Sequence, residues 1–445
     1  MEKISDFFLI DQLAIVMISL VSFVGISVAS FAGRYLKGDE KYTSFYLTLA
    51  FLILSVFLMV SANHVIVFLL TWLLSNLLLV KLMIHKSSWK AAFHSGILAA
   101  KNFLFGFIMI SVSIFLLYEA TGKADIQGII NSNLDKKTIL ATSIFLFLGA
   151  MTQSAIWPFH RWLTSSLNSP TPVSAIMHAG LVNGGGFLLT RFFPIFKDYS
   201  LIFDIIFIFG LFTALLGTFW KLMQSDVKRM LACSTMGQMG FMIMQCGLGL
   251  FPAAIAHLCW HGLFKAYLFL ASGSAAQEKR LNLGYPPELS VFSISMLCGA
   301  LGSFTFALSS HKNILGSDTN LFLIFIAFIA STQFAIPILK QTIFKKLPLA
   351  LIATALIGTL YGFSIYSIEA FLVPLNLMNA QPLNIFHVAG MLLLFFSWVA
   401  FLFYGHLEPL LQKLTWPLKF YVYMLNLSQP HPKTITAHRN DYTYL

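Results

Sequence analysis

Long unbroken apolar runs, each closed by a short cluster of polar or charged residues, set the pattern of this chain from end to end. The runs are continuous rather than alternating, so they predict helices and not the period-two strands of a barrel. A helix needs about 20 mostly apolar residues to cross a hydrocarbon core of about 30 Å, and lipid admits only segments whose backbone groups are satisfied internally. Runs of that kind predict spans at 9–32, 42–62, 64–84, 95–118, 138–157, 172–193, 201–220, 230–250, 252–276, 289–309, 320–339, 349–373 and 384–406. The expected fold class is therefore all-α integral membrane, with about 13 transmembrane helices. The first run is followed by further spans and lacks a basic start, so it reads as retained rather than as a cleaved signal.

Composition agrees with the pattern. Of 445 residues, 58% are hydrophobic and only 10% charged, with a mean hydropathy of +0.80, outside the range of soluble domains. A net charge of +11 would suggest nucleic acid in a soluble protein. Here the basic residues sit in short loops, so the lipid bilayer is the expected partner and no nucleic acid is. Arg34, Lys37 and Lys41, then Lys86 and Lys90, then Lys221, Lys228 and Arg229, then Lys279 and Arg280, then Lys345 and Lys346 fall in alternate loops. The bias places those loops in the cytoplasm, the N terminus outside and the C terminus inside a cell inner (plasma) membrane. Cys233, Cys246, Cys259 and Cys298 are scattered through apolar stretches and indicate small core residues, with no metal site or disulfide framework.

Two parts are expected: a polytopic domain over 1–408 and a cytoplasmic segment over 409–445. In the latter, Trp416, Tyr421 and Tyr423 beside Lys413 and Lys419 suit the membrane surface. The polar, proline-broken end is either a floppy terminus or a docking segment for a partner.

Three segments could carry chemistry. In AHLCWHGLFKAYLFLASGS, His257, His261 and Lys265 stand at i, i+4 and i+8 of an apolar helix. They fall within about 80° of one another over about 12 Å of helix axis. A charge at the bilayer centre costs about 2.5 to 3.5 kcal/mol on insertion scales, so such a lysine marks function and faces the bundle interior or water. Buried lysine can load and release a proton near neutral pH, and histidine titrates there already. Alternatively Lys265 snorkels or pairs with a carbonyl, and the histidines are helix-contact residues. An HxxxH metal pair is a further alternative, without an evident third ligand, and no metal is expected.

In QSAIWPFHRWLTSSLNSPTPVSAIMHAGLVNGGGF, Pro158, Pro170 and Pro172 interrupt apolar helix. A broken helix at membrane depth must line a cavity or be buried in protein, which predicts a polar cavity near 158–172. His178 lies about 9 Å into the helix that follows. Gly180 and Gly184 to Gly186 supply a small-residue packing face. In QSDVKRMLACSTMGQMGFM, Asp226 is an expected N-cap, with Lys228 and Arg229 at the surface; topology alone accounts for all three.

Read together, PFHRWL, SPTPVSAIMHAG, SDVKRMLACSTMGQMGFM and HLCWHGLFKAYLFLASGS resemble the antiporter-like membrane subunits of respiratory complex I and the multisubunit cation/proton antiporters. The match runs from about Trp72 to Ser274, with the motifs in the family's order. The resemblance implies two inverted five-helix repeats, each with a broken helix and a proton half-channel. It also matches His178, His257, His261 and Lys265 to the family's histidines and central lysine. The chain departs from the family at three places. Leu73 follows Trp72 where complex I subunits have glutamate, Gln153 replaces a lysine before the broken-helix proline, and later only His311 and Lys312 could stand in for another lysine. One half of the usual proton path is thus altered.

With those departures the chain resembles the DabB-type membrane subunits of inorganic carbon accumulation complexes. The resemblance implies a large soluble, zinc-containing DabA-like subunit as partner, with H+ or Na+ flow driving conversion of CO2 to bicarbonate there. No cofactor is expected on this chain, which is then a cation-conducting subunit and not an enzyme. The alternatives are a proton-translocating subunit of a respiratory NADH-quinone oxidoreductase or multisubunit antiporter, and a scaffold that has lost transport. The ladder of His257, His261 and Lys265 argues against the scaffold, which has no reason to bear the insertion cost.

Overall fold

A computed structural model describes residues 7–274, 285–340 and 343–435. Lys279, Arg280, the last residues of the expected span 252–276 and the tail from 436 lie outside the described residues. The described chain is helical, with no strand beyond isolated bridges. The long helices are α1 Gln12–Tyr35, α2 Tyr42–Ser61, α3 Val65–Met83, α4 Lys90–Thr121, α5 Lys136–Gln153, α6 Thr171–Phe196, α7 Ser200–Met223, α8 Val227–Gly247 and α9 Phe251–Leu270. They continue with α10 Leu289–Ser309, α11 Asn320–Leu339, α12 Ile343–Leu372 and α13 Ile385–Leu402, then the shorter α14 Tyr404–Leu411 and α15 Thr415–Ser428.

Among the described residues, 11 helices are long and apolar enough to cross a membrane. The other two expected spans, 138–157 and 230–250, are occupied by α5 and α8, which are less apolar. The first opens on Lys136 and Lys137, and the second carries Gln238 and Gln245. Polar residues are tolerated there because these helices bury much of their length against protein rather than lipid.

The chain divides into two compact units. The first holds α1 to α8, α9 from His257 onward, and the stretch from Leu425. Its tightest helix contact is glycine-made: a Cβ on Gly217 of α7 would stand 2.6 Å from the Gly237 Cα of α8, and one on Gly240 would stand 2.8 Å from the Gly210 carbonyl. Backbone-on-backbone approach replaces the missing hydrophobic drive between membrane helices. Gly217→Val should therefore force α7 from α8 and cost about 1–3 kcal/mol, read as a lower unfolding midpoint in detergent; a wild-type midpoint would contradict the contact.

At one end of this unit the expected basic loops meet. Lys41 Nζ donates to the His85 carbonyl at 3.2 Å and to Ser87 Oγ at 2.9 Å, tying the α1–α2 loop to the α3–α4 loop. Asp39 accepts from the Lys41 amide and faces His85, contacts that hold its carboxyl below the usual range, the amide contributing most. At the opposite end Asp11 caps α1 by accepting from Ala14 N, and it forms a buried ion pair with Arg191 of α6, which also donates to the Val60 carbonyl.

The second unit holds the first turns of α9, then α10 to α14 and α15 up to Met424. Gly299 and Gly302 of α10 face Thr332 and Ser331 of α11, and Gly358 of α12 lies on the Gly302 carbonyl. His311, in the left-handed region at φ 54°, turns the chain after α10, and Lys312 forms a buried ion pair with Glu369 of α12.

The expected helix break is present, but it begins earlier than the prolines require. Helix α5 stops at Gln153, Ala155 adopts φ 53°, and only a short helix, Arg161–Thr164, interrupts the irregular path to Thr171. Trp157 precedes proline and so disfavours helix. The turn then absorbs four residues before it, capped by Ser154 N donating to the Ala150 carbonyl. Ala155 and Ile156 are fully buried, and side chains satisfy the freed backbone. Trp157 N donates to Thr213 Oγ1 at 3.2 Å, while the Thr152 carbonyl accepts from Asn102 Nδ2 and Trp162 Nε1, both at 3.0 Å. Irregular backbone inside a membrane protein survives only with such partners.

Within the break, Ser95 Oγ donates to the Ser165 carbonyl and Lys228 Nζ to the Ser169 carbonyl. The polar end of the chain, expected to be floppy or to dock a partner, is bound here as far as it is described. His431 N donates to Ser165 Oγ at 2.9 Å, and Asn168 Nδ2 donates to the Thr434 carbonyl at 2.6 Å. Arg229 donates to Gln429 Oε1 and Gln224 to Ser428 Oγ, so residues 428–434 clasp the break.

Candidate functional site

Helix α9 presents its polar ladder to α6 and α8. Ring centroids of His257 and His261 lie 6.1 Å apart with planes only 15° from parallel, as i, i+4 neighbours on one face should. Lys265, one turn further on, is 1% exposed, and its Nζ donates to the Leu231 carbonyl of α8 at 3.1 Å. It therefore pairs with a carbonyl, as one sequence reading had it, but does so in the interior and does not snorkel. Three ion pairs occur among the described residues, and none of them includes Lys265.

The same carbonyl organises His178. Thr235 Oγ1 donates to the Leu231 carbonyl at 3.0 Å and lies 3.0 Å from His178 Nδ1. A hydroxyl has one proton, so when Thr235 gives it to Leu231, His178 must donate from Nδ1. His178 is 1% exposed and stacks on Phe269 at 4.3 Å between centroids. His261 lies within electrostatic reach of His257, Lys265 and His178, so the four residues picked from sequence form one cluster. Both ring nitrogens of His261, and Nε2 of His257, are buried without a hydrogen-bond partner among the described residues. Chemically, the three imidazoles and the amine are each groups able to take up and give up a proton.

Gln153 sits at the end of α5 in a different setting. Its Nε2 donates to Asn76 Oδ1 and to the Leu181 carbonyl, each at 3.1 Å, and Asn76 Nδ2 returns a bond to Gln153 Oε1 at 3.1 Å. This amide pair carries no charge. A cavity of about 20 Å³, room for about one water molecule, lies beside it against Trp72, Ser75, Gly180 and Gly184. Gly184 is needed for space: a Cβ there would stand 2.9 Å from Gln153 Cγ. Replacing Gln153 with leucine should strand the Asn76 amide and cost about 1–3 kcal/mol, seen as a lower midpoint; Asn76→Leu/Gln153→Leu should recover part of that loss, and a fully additive pair would rule out the coupling.

Asp226 Oδ1 accepts from Arg229 N at 2.8 Å at the start of α8, and Lys228 ties α8 to the break. Leu73 is half-buried on α3. His311 and Lys312 belong to the second unit, where Glu369 is the partner that sequence reasoning missed. Asn76, Thr235 and the Asp11–Arg191 pair were missed as well, although Arg191 and Glu369 each stand as a charge within an otherwise apolar run. Among the described residues no three His, Cys, Asp or Glu side chains gather as metal ligands.

Ionisable side chains held off the lipid beside a helix broken at depth, in a multi-pass helical chain, are the architecture of antiporter-like membrane subunits. The chain belongs to that family: residues 62–285 match the family described as NADH:quinone oxidoreductase/Mrp antiporter, TM, and residues 3–46 match NADH-Ubiquinone oxidoreductase (complex I), chain 5 N-terminus. It is 36% identical over 289 residues to the probable inorganic carbon transporter subunit DabB1 of Halothiobacillus neapolitanus, covering 62% of this chain and 51% of that protein. The corresponding Bacillus subtilis subunit DabB is 36% identical over 280 residues, 61% of this chain and 55% of the relative. The chloroplastic NAD(P)H-quinone oxidoreductase subunit 5 of Poa pratensis is 34% identical over 292 residues, 64% of this chain and 42% of the relative. The chain thus spans about half the length of the DabB relatives it matches. A structure of the Mrp complex from a Dietzia species shares the fold, with a TM-score of 0.58 and 22% identity over 86% of this chain and 42% of that one.

Proposed function

We propose that this chain is the membrane subunit of an energy-coupled inorganic carbon uptake complex. In this reading it conducts protons or Na+ through the cluster of His178, His257, His261 and Lys265. It drives hydration of CO2 on a large soluble zinc-containing DabA-like partner, and catalysis and the zinc reside on that partner. The observation that carries the reading is Lys265: an amine buried without a counter-charge among the described residues, sharing the Leu231 carbonyl with the hydroxyl that holds His178. An ammonium so placed costs free energy that a static scaffold has no reason to bear. The names of the DabB relatives support the assignment to carbon uptake.

Within this reading Gln153 marks where the path departs from a standard pump, because its amide pair with Asn76 carries no exchangeable charge. Asp226 and Lys228 act structurally, the first as a cap and the second as a tie to the break. The chain sits in the inner (plasma) membrane with its clustered basic loops on the cytoplasmic side, the N terminus outside and the C terminus inside. The second reading, a proton-translocating subunit of a quinone oxidoreductase or multisubunit antiporter, is favoured by the 34% identity to the chloroplastic subunit 5. Purifying the chain from its native membrane separates the two. A large soluble zinc protein in the complex supports carbon uptake, whereas flavin or iron–sulfur subunits overturn it in favour of the second reading.

A further inference from the structure

The first unit carries a second feature, unrelated to the histidine cluster: a cleft of about 340 Å³ between the start of α2 and the end of α3. Lys41, Lys81, Ser44 and Ser87 line its polar side, and Phe45 and Leu82 its apolar side. The Lys41 ammonium is fixed by the His85 carbonyl and Ser87 Oγ, which use two of its three donors and leave one. Lys81 is exposed and takes part in none of the ion pairs among the described residues. No carboxylate lines the cleft; nearby Asp39 is engaged by the Lys41 amide and His85. Two cations thus face a concavity large enough for a small ligand, with no carboxylate in its lining.

Depth identifies the ligand. Ser44 lies in the first turn of α2 and Lys81 in the last turn of α3, so the cleft sits where two spans leave the hydrocarbon. Below it, Leu47 and Phe51 of α2 and Leu77 of α3 are exposed on the outside of the bundle, an apolar track that runs away from the lysines. A soluble anion would meet only the lysines, whereas a phospholipid would meet the lysines with its phosphate and the track with its acyl chains. We propose that this cleft binds the phosphate headgroup of an anionic phospholipid. Basic pockets between the ends of membrane helices are suited to such headgroups, and each lysine near the surface contributes measurably.

The test uses the full chain extracted from membranes and reconstituted in bilayer discs of phosphatidylcholine with phosphatidylglycerol, with retained lipid counted by mass spectrometry. Wild type should retain phosphatidylglycerol over phosphatidylcholine. Lys41→Gln/Lys81→Gln should lower that retention about 30-fold, and Lys41→Arg/Lys81→Arg should keep it. Should the double variant fail to fold, Lys81→Gln alone, at an exposed position, should lower retention about 5-fold. Retention unchanged in the glutamine variants overturns the proposal. So does loss of the lipid to millimolar inorganic phosphate, which would make this a free-anion site.

Discussion

Lys265→Arg is expected to abolish energy-dependent bicarbonate uptake, lowering it by about a hundredfold, while the protein still reaches the membrane and assembles with its partner. Arginine keeps the positive charge but cannot give up its proton, so the substitution separates a proton carrier from a fixed charge. Lys265→Ala should be equally inactive, because it removes the amine beside His178 and leaves the Thr235 bond to the Leu231 carbonyl in place. Uptake is measured as accumulation of labelled bicarbonate in cells lacking the native chain. Full uptake by the arginine variant would mean that Lys265 contributes only a static field. Full uptake by the alanine variant would remove the lysine from the pathway altogether.

Arg191→Leu should destabilise the folded chain by about 3–5 kcal/mol, the largest loss expected from a single change outside the histidine cluster. Both partners are nearly enclosed, Asp11 at 9% and Arg191 at 7% exposure, and the substitution leaves the Asp11 carboxylate with only the Ala14 amide among the bonds described. Replacing both, as Asp11→Asn/Arg191→Leu, should recover much of the loss, since no uncompensated charge remains. Chemical unfolding in detergent reads both effects. A single variant with the wild-type midpoint would show that the pair adds nothing to the contact between α1 and α6.

The two predictions mark the boundary of what the sequence makes legible. Lys265 is visible from sequence because its insertion cost is local, and the i, i+4, i+8 spacing places His257 and His261 beside it. The spans are visible for the same reason, since apolar run length measures membrane thickness. Two helices blur the count because α5 and α8 face protein, where hydropathy no longer measures exposure to lipid. Arg191 carries the same local signal as Lys265, but its partner Asp11 stands 180 residues away, and no periodicity connects them. Gln153 and Asn76, 77 residues apart, are each unremarkable in sequence and acquire meaning only as a pair. The break shows the same limit: the prolines announce it, while its start at Gln153 depends on what Thr213, Asn102 and Trp162 can satisfy.

The clasp of residues 428–434 on the break also has a temporal side. Ser165 and Asn168 leave the ribosome before most of the spans, whereas His431 and Thr434, which bind them, follow every one of the long helices in the chain. The irregular segment beside the histidine cluster must therefore wait, partly unsealed, through most of synthesis and insertion.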